Sequence, residues 1–325
     1  MPPKLRPRRH SLIRALPAAL GLVLAALLVP HQLHAEGRIS IIVNDPENPF
    51  WAAEGEVAST TAAELGYRAV VTAHEGNALI EGAKVDSAIA AGVDAIILDP
   101  ADAEGSTASV ARAGAAGVPV FVVNSGLARS GLAVAQLLSD NAQGAELGAR
   151  RWLAEMGEHA AYIELLGAPG DPNAAIRSNA YTAVLGAAPG LSRVAAVAAD
   201  WSRDQGYEQT RKLLAERPRV TGILAGNDEM ALGAVAALKE AGRLDSVTVG
   251  GFDGTPEAVA AVLAGELAYT VLQPVARFAD EAVRQADHYI RTGTPREHRE
   301  IQLFDCQLID REAAARMRAP FVLGE

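Results

Sequence analysis

Residues 39–98 decide the fold and read ISIIVNDPENPFWAAEGEVASTTAAELGYRAVVTAHEGNALIEGAKVDSAIAAGVDAIIL. Three short, mostly apolar runs alternate with two alanine-rich segments of helical length, and the runs are Ile39–Val43, Ala69–Thr72 and Ala95–Leu98. Gly66 and Gly92 stand where each helix is expected to end, just before the next strand. Short apolar runs are typical of strands buried on both faces, so the pattern predicts parallel strands joined by right-handed helical crossovers.

The same rhythm continues along the chain and divides into two halves. Further apolar runs follow at Val118–Val123, Tyr162–Leu166, Val194–Ala198, Val220–Ala225 and Val247–Phe252. Four runs precede the polar stretch Ser139–Gly144 and four follow it, which predicts an α/β protein with two similar lobes of doubly wound parallel sheet. Open parallel sheets bind ligands beyond the carboxyl ends of their strands, so the residues just after each run are the candidates for function.

The composition excludes several classes of protein. The chain has 325 residues, and 50% of them are hydrophobic, which is enough for two domains with cores and excludes a disordered or fibrous protein. A net charge of -10 argues against a nucleic-acid partner. Cys306 is the single cysteine, so neither a disulfide framework nor a multi-cysteine metal site is possible, and its apolar neighbours favour a buried, inert thiol.

The first 35 residues are predicted to be a secretory signal peptide that is cleaved after Ala35. Five basic residues precede the apolar run Leu16–Val29, and Leu33-His34-Ala35 ends in a small residue suited to signal peptidase. The run is short for a membrane span, which needs about 20 residues, and an uncleaved membrane anchor is the alternative. Without this basic segment the net charge falls from -10 to -15, so we expect an acidic, soluble exported protein.

Candidate ligand contacts follow two strands of the first half. Asn48, Phe50 and Trp51 come after the first strand, and aromatic rings beside an amide suit the apolar face and hydroxyl rim of a sugar. The alternative is an Asn-Pro turn with both rings packed in the core. Asn124 and Ser125 follow the fourth strand, where the alternative is a simple turn.

The second half offers further candidates at its strand ends. Arg177 lies in the second turn of a helix that Asp171 is expected to cap, a place that the helix dipole disfavours for a cation. The others are Trp201, Asn227, Asp253 and Gln273. Core packing, a helix cap or an ordinary turn is the alternative for each.

Capping residues decide which of these side chains remain free. We expect Asp228 to act as the N-cap of its helix. Thr255 is expected to cap the next helix, with Pro256 at its first position. Because Thr255 rather than Asp253 caps this helix, we expect the side chain of Asp253 to point into a cleft between the two lobes.

Three motifs stand out along the chain, namely Asn48-Pro49-Phe50-Trp51, Asn227-Asp228-Glu229-Met230-Ala231-Leu232-Gly233 and Gly251-Phe252-Asp253-Gly254-Thr255-Pro256. Together they closely resemble the motifs of the periplasmic sugar-binding proteins of the ribose-binding type, which are type I periplasmic binding proteins of ABC importers. They occur in the family's order, and the resemblance runs from Arg38 to Asp310. Related bacterial repressors share the second and third motifs, but this chain carries an export signal where they carry a helix-turn-helix domain.

The resemblance implies two lobes that close on a monosaccharide or polyol, with hinge crossings near Leu138, Gln273 and Gln302. The N-terminal lobe is then residues 36–138 plus 274–302, and the C-terminal lobe is residues 139–273 plus 303–325. Carried over position by position, the implied ligand-binding residues are Asn48, Phe50, Trp51, Asn124, Ser125, Arg177, Trp201, Asn227, Asp253 and Gln273.

One departure from the family pattern bears on the ligand. Ribose binders resemble one another in carrying an aspartate and an arginine at the end of the fourth strand, where this chain has Asn124 and Ser125. Because a charged clamp has become a smaller neutral pair, we expect a neutral pentose, hexose or sugar alcohol other than ribose.

The expected function is therefore that of a monomeric soluble receptor, which delivers its sugar transiently to an ABC permease in the inner membrane. A sugar sensor for a chemoreceptor or histidine kinase is the alternative, and an exported sugar-acting enzyme is a third hypothesis. The enzyme hypothesis lacks support, because the sequence has no nucleophile elbow, phosphate loop or zinc helix motif. Asp99, Asp102 and Glu104 lack the spacing of a calcium loop, so we expect no catalytic residue, cofactor or metal.

Overall fold

Strands and helices alternate along the part of the chain that the computed structural model describes, namely Pro3, residues 37–157 and residues 159–324. The strands are β1 (Arg38–Val43), β2 (Arg68–Ala73), β3 (Ala95–Leu98), β4 (Val120–Val123), β5 (Ala135–Ser139), β6 (Ala160–Leu166), β7 (Leu191–Ala198), β8 (Gly222–Ala225), β9 (Thr248–Gly250), β10 (Thr270–Leu272), β11 (Ile301–Phe304), β12 (Gln307–Ile309), β13 (Met317–Ala319) and β14 (Val322–Leu323). The helices are α1 (Pro49–Glu64), α2 (Ala78–Ala91), α3 (Gly105–Ala115), α4 (Asn141–Met156), α5 (Pro172–Leu185), α6 (Arg203–Glu216), α7 (Asp228–Glu240), α8 (Pro256–Ala264), α9 (Val275–Thr292) and α10 (Arg311–Ala314). The predicted signal peptide and its cleavage site lie outside the described residues.

The first sheet contains six parallel strands in the order β11-β5-β4-β3-β1-β2. The sequence predicted β1 to β4 but not the two strands at the opposite edge. β5 mixes Gln136 and Ser139 with apolar residues, so it lacks the continuous apolar run that marks the central strands. β11 has exposed Ile301 and Leu303, so it also lacks a buried apolar run. Its partner β5 lies far from it in the sequence.

The second sheet contains four parallel strands in the order β7-β6-β8-β9. Parallel bridges from Gly250 to Tyr269 and from Asp253 to Leu272 place β10 beside it, and β12 pairs antiparallel with β10. The chain therefore passes between the sheets after β5, after β10 and after β11. Both sheets are parallel with helical crossovers, so the predicted fold class is confirmed.

Side-chain caps fix where the helices next to the cleft begin. Asn48 caps α1 through a hydrogen bond from the Phe50 amide to its Oδ1 (2.9 Å), and Thr255 caps α8 as expected. The prediction for α7 is wrong, because its N-cap is Asn227, whose Oδ1 accepts from the Met230 amide at 2.9 Å. Asp228 is instead buried and accepts hydrogen bonds from the Thr255 amide (2.8 Å) and the Thr270 hydroxyl (2.6 Å), which ties α7 to α8 and β10.

Helices cover the faces of both sheets and bury the core. α1 packs against α9 on the first sheet, while α4 packs against α5 and α6 against α7 on the second. Cys306 is buried, and both it and Phe252 pack closely against Gly144 of α4. A Cβ atom added at Gly144 would lie only 2.9 Å from the Cys306 sulfur. The prediction of a buried thiol is therefore confirmed, and burial raises the pKa of Cys306 to about 12, which disfavours the reactive thiolate. No helix within the described ranges is both long and apolar enough to cross a bilayer.

Candidate functional site

A narrow cavity lies between the carboxyl ends of the two sheets. It is lined from both sides by Asn48, Phe50, Trp51, Asn124, Asp171, Asn173, Arg177, Trp201, Asn227, Asp253 and Gln273. The structure thus brings together all of the predicted ligand-binding residues except Ser125, and it adds Asp171 and Asn173. The position agrees with the rule that open parallel sheets place ligands beyond the carboxyl ends of their strands.

The first wall of the cavity comes from the six-stranded sheet. Trp51 lies in the first turn of α1, which the cap at Asn48 and the proline at position 49 begin at the end of β1. Asn124 follows β4 with a positive φ of 59°, a conformation that asparagine tolerates better than most residues. Its Nδ2 donates to Asp99 Oδ2 at 3.0 Å, and Asp99 directly follows β3. The ends of β1 and β4 therefore supply this wall, and Asp99 at the end of β3 supports it from behind.

Arg177 organises the second wall, which comes from the four-stranded sheet. Its Nε donates to Asn141 Oδ1 at 2.7 Å and its NH1 to the Gly226 carbonyl at 2.6 Å. The guanidinium stacks on the Phe252 ring, 3.8 Å from the ring centroid, and lies 3.5 Å from Asp253 Oδ1. These partners hold the buried guanidinium in a fixed position. They also compensate for the unfavourable helix dipole that the cation meets near the start of α5.

Asp253 links that arginine to the hinge side of the cavity. Gln273 Nε2 donates to Asp253 Oδ1 at 2.7 Å. Burial raises the pKa of Asp253, and the nearby Arg177 opposes that rise. The backbone of Asp253 has a φ of 131°, a strained value for a residue with a Cβ, and Trp201 also has a positive φ of 63°. Strain of this kind costs about 1–3 kcal/mol per residue and is concentrated at functional sites.

Several buried polar atoms at the cavity have no hydrogen-bond partner of good geometry. They are the indole nitrogens of Trp51 and Trp201 and the side-chain carbonyl oxygens of Asn124 and Gln273. Buried polar groups are nearly always paired, so four such groups on residues that line one cavity indicate a place for a ligand that both donates and accepts hydrogen bonds. Two of these groups are acceptors, and two are indole donors that lie close to the carboxylates of Asp99 and Asp171.

Three predicted residues are placed differently from the expectation. Phe50 packs against Phe278 and Phe321, with ring centroids 6.3 and 6.2 Å away, so most of its ring belongs to the core. Asn227 uses both ends of its amide, because its Nδ2 donates to the Trp201 carbonyl while its oxygen caps α7. It therefore positions Trp201 rather than offering a free group.

The side chain of Ser125 contacts the other lobe instead of the cavity. Its hydroxyl donates to Asp171 Oδ1 at 2.9 Å, and Asn173 Nδ2 donates to the backbone carbonyl of Asn124 at 3.3 Å. These two hydrogen bonds join the end of β4 to the start of α5, across the cleft. Ser125 thus holds the two walls together.

Asp99, Asp171 and Asn173 are the residues that the sequence argument missed. Asp99 was weighed only as a calcium ligand, although its position directly after the apolar run of β3 is the same signal that selected Asn124. Among the described residues no group of three or more histidine, cysteine or carboxylate side chains is arranged to hold a metal ion.

Outside the cavity the cleft widens to a volume of about 780 Å³, and its rim is acidic. The carboxylates of this rim are Asp45, Glu47, Glu75, Asp102, Asp171, Asp200, Asp204 and Glu229. Arg203 also lines the rim, but Glu229 and Glu257 both pair with it at 2.8 and 2.7 Å. The field at the entrance is therefore negative and disfavours anionic ligands.

The chain belongs to the family of the periplasmic binding protein domain, whose profile matches residues 39–295. It is 42% identical over 283 residues to a D-apiose import binding protein of Paraburkholderia graminis, covering 87% of this chain and 90% of the relative. It is 33% identical over 257 residues to the ribose import binding protein of Escherichia coli, covering 79% and 86% of the two chains. Among solved structures, the Caulobacter myo-inositol binding protein bound to myo-inositol is 27% identical with a TM-score of 0.81, covering 89% of this chain and 97% of that one.

These comparisons confirm the resemblance to sugar-binding proteins of ABC importers that the three sequence motifs indicated. The relatives are binding proteins, which agrees with the prediction that the chain is not an enzyme.

Proposed function

We propose that this protein is the soluble receptor of an ABC importer for a neutral sugar, and that it binds its ligand in the cavity between the two walls. D-Apiose is the first candidate, because a D-apiose import binding protein is 42% identical over 87% of this chain. Ribose remains the less favoured pentose, since the charged pair of the ribose binders is replaced here by Asn124 and Ser125.

The observation that carries the proposal is the set of unpaired polar atoms at the cavity. The hydroxyl groups of a sugar both donate and accept, so they pair with the indole N–H groups of Trp51 and Trp201 and with the carbonyl oxygens of Asn124 and Gln273. The apolar C–H faces of a sugar ring pack against the same indole rings. A ligand that lacks one of these hydroxyls leaves a buried group unpaired and is rejected.

Ligand capture is proposed to occur by closure of two lobes, residues 36–138 plus 274–302 and residues 139–273 plus 303–325. The chain passes between the sheets near Ser139, Leu272 and Phe304, close to the three proposed hinge positions. The hydrogen bonds from Ser125 to Asp171 and from Asn173 to Asn124 join the two lobes across the cleft and break when the lobes separate. The C-terminal segment fits this division less well. Phe321 is assigned to the C-terminal lobe, but its ring packs on Phe50 of the N-terminal lobe.

The output of binding is proposed to be transport rather than sensing. The protein acts in the periplasm as a monomer after cleavage behind Ala35, and its closed form docks transiently on an inner-membrane permease. Closure depends on ligand only if the ligand binds the closed state more tightly than the open one.

A thermal-shift series on the purified protein tests the ligand class. We expect D-apiose to raise the Tm most, followed by neutral sugars and polyols such as D-ribose and myo-inositol, because a ligand at about 100 times its Kd adds about 2.7 kcal/mol to the free energy of unfolding. D-Glucuronate serves as the anionic control and should have no effect at the acidic entrance. The proposal is wrong if no neutral sugar or polyol stabilises the protein.

A further inference from the structure

Asp99 lies directly behind the first wall of the cavity and does not belong to its lining. It is 1% exposed, and it follows β3 at the carboxyl edge of the sheet. Its Oδ2 accepts from Asn124 Nδ2 at 3.0 Å, whereas its Oδ1 has no partner. His74 Nδ1 accepts from the Gly76 amide, so His74 Nε2 donates to the Asp99 carbonyl at 2.8 Å and fixes the backbone there. The carboxylate of Asp99 therefore accepts one hydrogen bond of good geometry, from the Asn124 amide, and the indole N–H of Trp51 lies close to it.

That contact decides which end of the Asn124 amide faces the cavity. An ionised carboxylate can only accept hydrogen bonds, so the NH₂ group of Asn124 must point toward Asp99. The carbonyl oxygen Oδ1 then points the other way, where it is buried and unpaired beside the cavity. The second wall repeats this arrangement, since Asp253 holds the NH₂ group of Gln273 and leaves Gln273 Oε1 unpaired.

Building on the proposed sugar-binding function, we propose that Asp99 is a positioning residue that sets the Asn124 amide so that the cavity presents a hydrogen-bond acceptor. Together with the Asp253–Gln273 pair, it gives each wall one acceptor that is oriented in advance. The ligand class is thereby narrowed to neutral sugars that donate an O–H group to both walls. A sugar whose hydroxyl at either point is replaced by hydrogen or a methyl ether leaves a buried carbonyl oxygen unpaired.

The surroundings of Asp99 make this orientation sensitive to pH. The titratable groups that face it are Glu54 on α1, Glu81 on α2, Asp171 before α5 and His74 after β2. Burial raises the pKa of Asp99, and the carboxylates at positions 81 and 171 raise it further. Burial lowers the pKa of His74, which favours its neutral form. Asp253 differs, since the guanidinium of Arg177 lies 3.5 Å from it.

Protonation of Asp99 releases the orientation of the Asn124 amide. A protonated carboxyl gains an O–H donor and keeps an acceptor oxygen, so it pairs with Asn124 in either orientation and no longer fixes the side-chain carbonyl oxygen of Asn124 toward the cavity. Affinity for the sugar therefore falls as the pH is lowered through the pKa of Asp99. Replacement of Asp99 by asparagine removes this step, because an amide pairs with Asn124 in either orientation and does not titrate.

The test is calorimetric titration of the purified protein with D-apiose across the range from about pH 5 to about pH 8, the span in which raised carboxyl pKa values are observed. We expect the wild-type affinity to fall on acidification. Asp99→Asn should bind about tenfold more weakly at about pH 8, the equivalent of one net hydrogen bond, and should lose most of the pH dependence. Asp86→Asn is the matched control, since Asp86 is an exposed aspartate paired with Arg112, and it should keep the wild-type profile.

A second variant covers the case in which Asp99→Asn does not fold. Asn124→Gly removes the amide while accepting the positive φ at that position, and it should also lose the pH dependence. The inference is overturned if D-apiose binds to Asp99→Asn or Asn124→Gly with the wild-type affinity and pH profile. If D-apiose fails to bind the wild-type protein, the proposed ligand itself is wrong, and the inference falls with it.

Discussion

The two walls of the cavity present similar hydrogen-bonding surfaces but hold them in electrostatically different ways. Each wall has a buried tryptophan and a carboxylate that orients an amide, Asp99 with Asn124 on one side and Asp253 with Gln273 on the other. The second wall balances its carboxylate with Arg177, whereas the charged neighbours of Asp99 are other carboxylates. One wall is therefore fixed by an ion pair and the other by the protonation state of a carboxylate, so we expect mutation and pH to act on them unequally.

The largest effect is expected from removing the cation of the second wall. Arg177→Ala leaves Asp253 buried without its partner and frees Asn141 and the Gly226 carbonyl, so we expect about 3–5 kcal/mol of lost stability and no thermal shift with sugar. Differential scanning calorimetry with and without D-apiose measures both. Arg150→Ala, which changes an exposed arginine on α4, is the matched control. A sugar-dependent shift of wild-type size in Arg177→Ala would contradict the role given to the ion pair.

The first wall should respond most clearly in its pH-dependent stability. Glu54, on the same face of α1 as Trp51, is 1% exposed, and neither of its carboxylate oxygens has a partner. Burial raises its pKa well above the usual value, so the folded state binds a proton that the unfolded state has released. The free energy of unfolding therefore falls as the pH rises from about 4.3, the pKa of an unperturbed glutamate, through the raised pKa of Glu54.

Glu54→Gln should remove that loss. We expect the variant to be more stable than the wild type at about pH 8, by about 1.4 kcal/mol for each unit by which the pKa is raised, and to match it near pH 4. Urea denaturation at several pH values measures the difference. Glu56→Gln, two residues along the same helix and exposed, is the control. Parallel stability profiles for wild type and Glu54→Gln would show that this carboxylate is not the source of the pH dependence.

Removal of the indole N–H groups, a feature that both walls share, should have an intermediate effect on the affinity for sugar. Trp51→Phe and Trp201→Phe keep an aromatic ring and remove the unpaired donor, so each should weaken sugar binding by about tenfold, one net hydrogen bond. Trp152→Phe removes a buried indole N–H from the core of the second lobe and is the control for stability. Loss of affinity on only one side would mean that the sugar rests against a single wall.

The smallest effect is expected where the walls meet. Ser125→Ala deletes the hydrogen bond to Asp171 across the cleft, worth about 0.5–1.5 kcal/mol, so the Kd should rise about two- to tenfold while the Tm without ligand changes little. Ser87→Ala, on the exposed side of α2, is the control. An unchanged Kd in Ser125→Ala would show that this contact does not favour the closed state.

The sequence predicts much of the fold and most of the cavity, because both depend on local signals. Apolar runs followed by polar residues located the central strands and, with them, Trp51, Asn124, Arg177 and Asp253. The strand β5, which lies next to the edge strand β11, was not predicted because Gln136 and Ser139 interrupt its apolar pattern. The partners of side chains could not be read from the chain, since Ser125 meets Asp171 only after the two halves come together.

Calorimetric titration of D-apiose into the wild-type protein and into Asp253→Ala measures whether the cavity binds a sugar and whether Asp253 is needed for binding. We predict saturable binding with one site in the wild type and no measurable heat of binding in Asp253→Ala, because the variant loses the carboxylate that orients Gln273 and pairs with Arg177. Equal binding by both proteins, or the absence of binding by the wild type, would contradict the account.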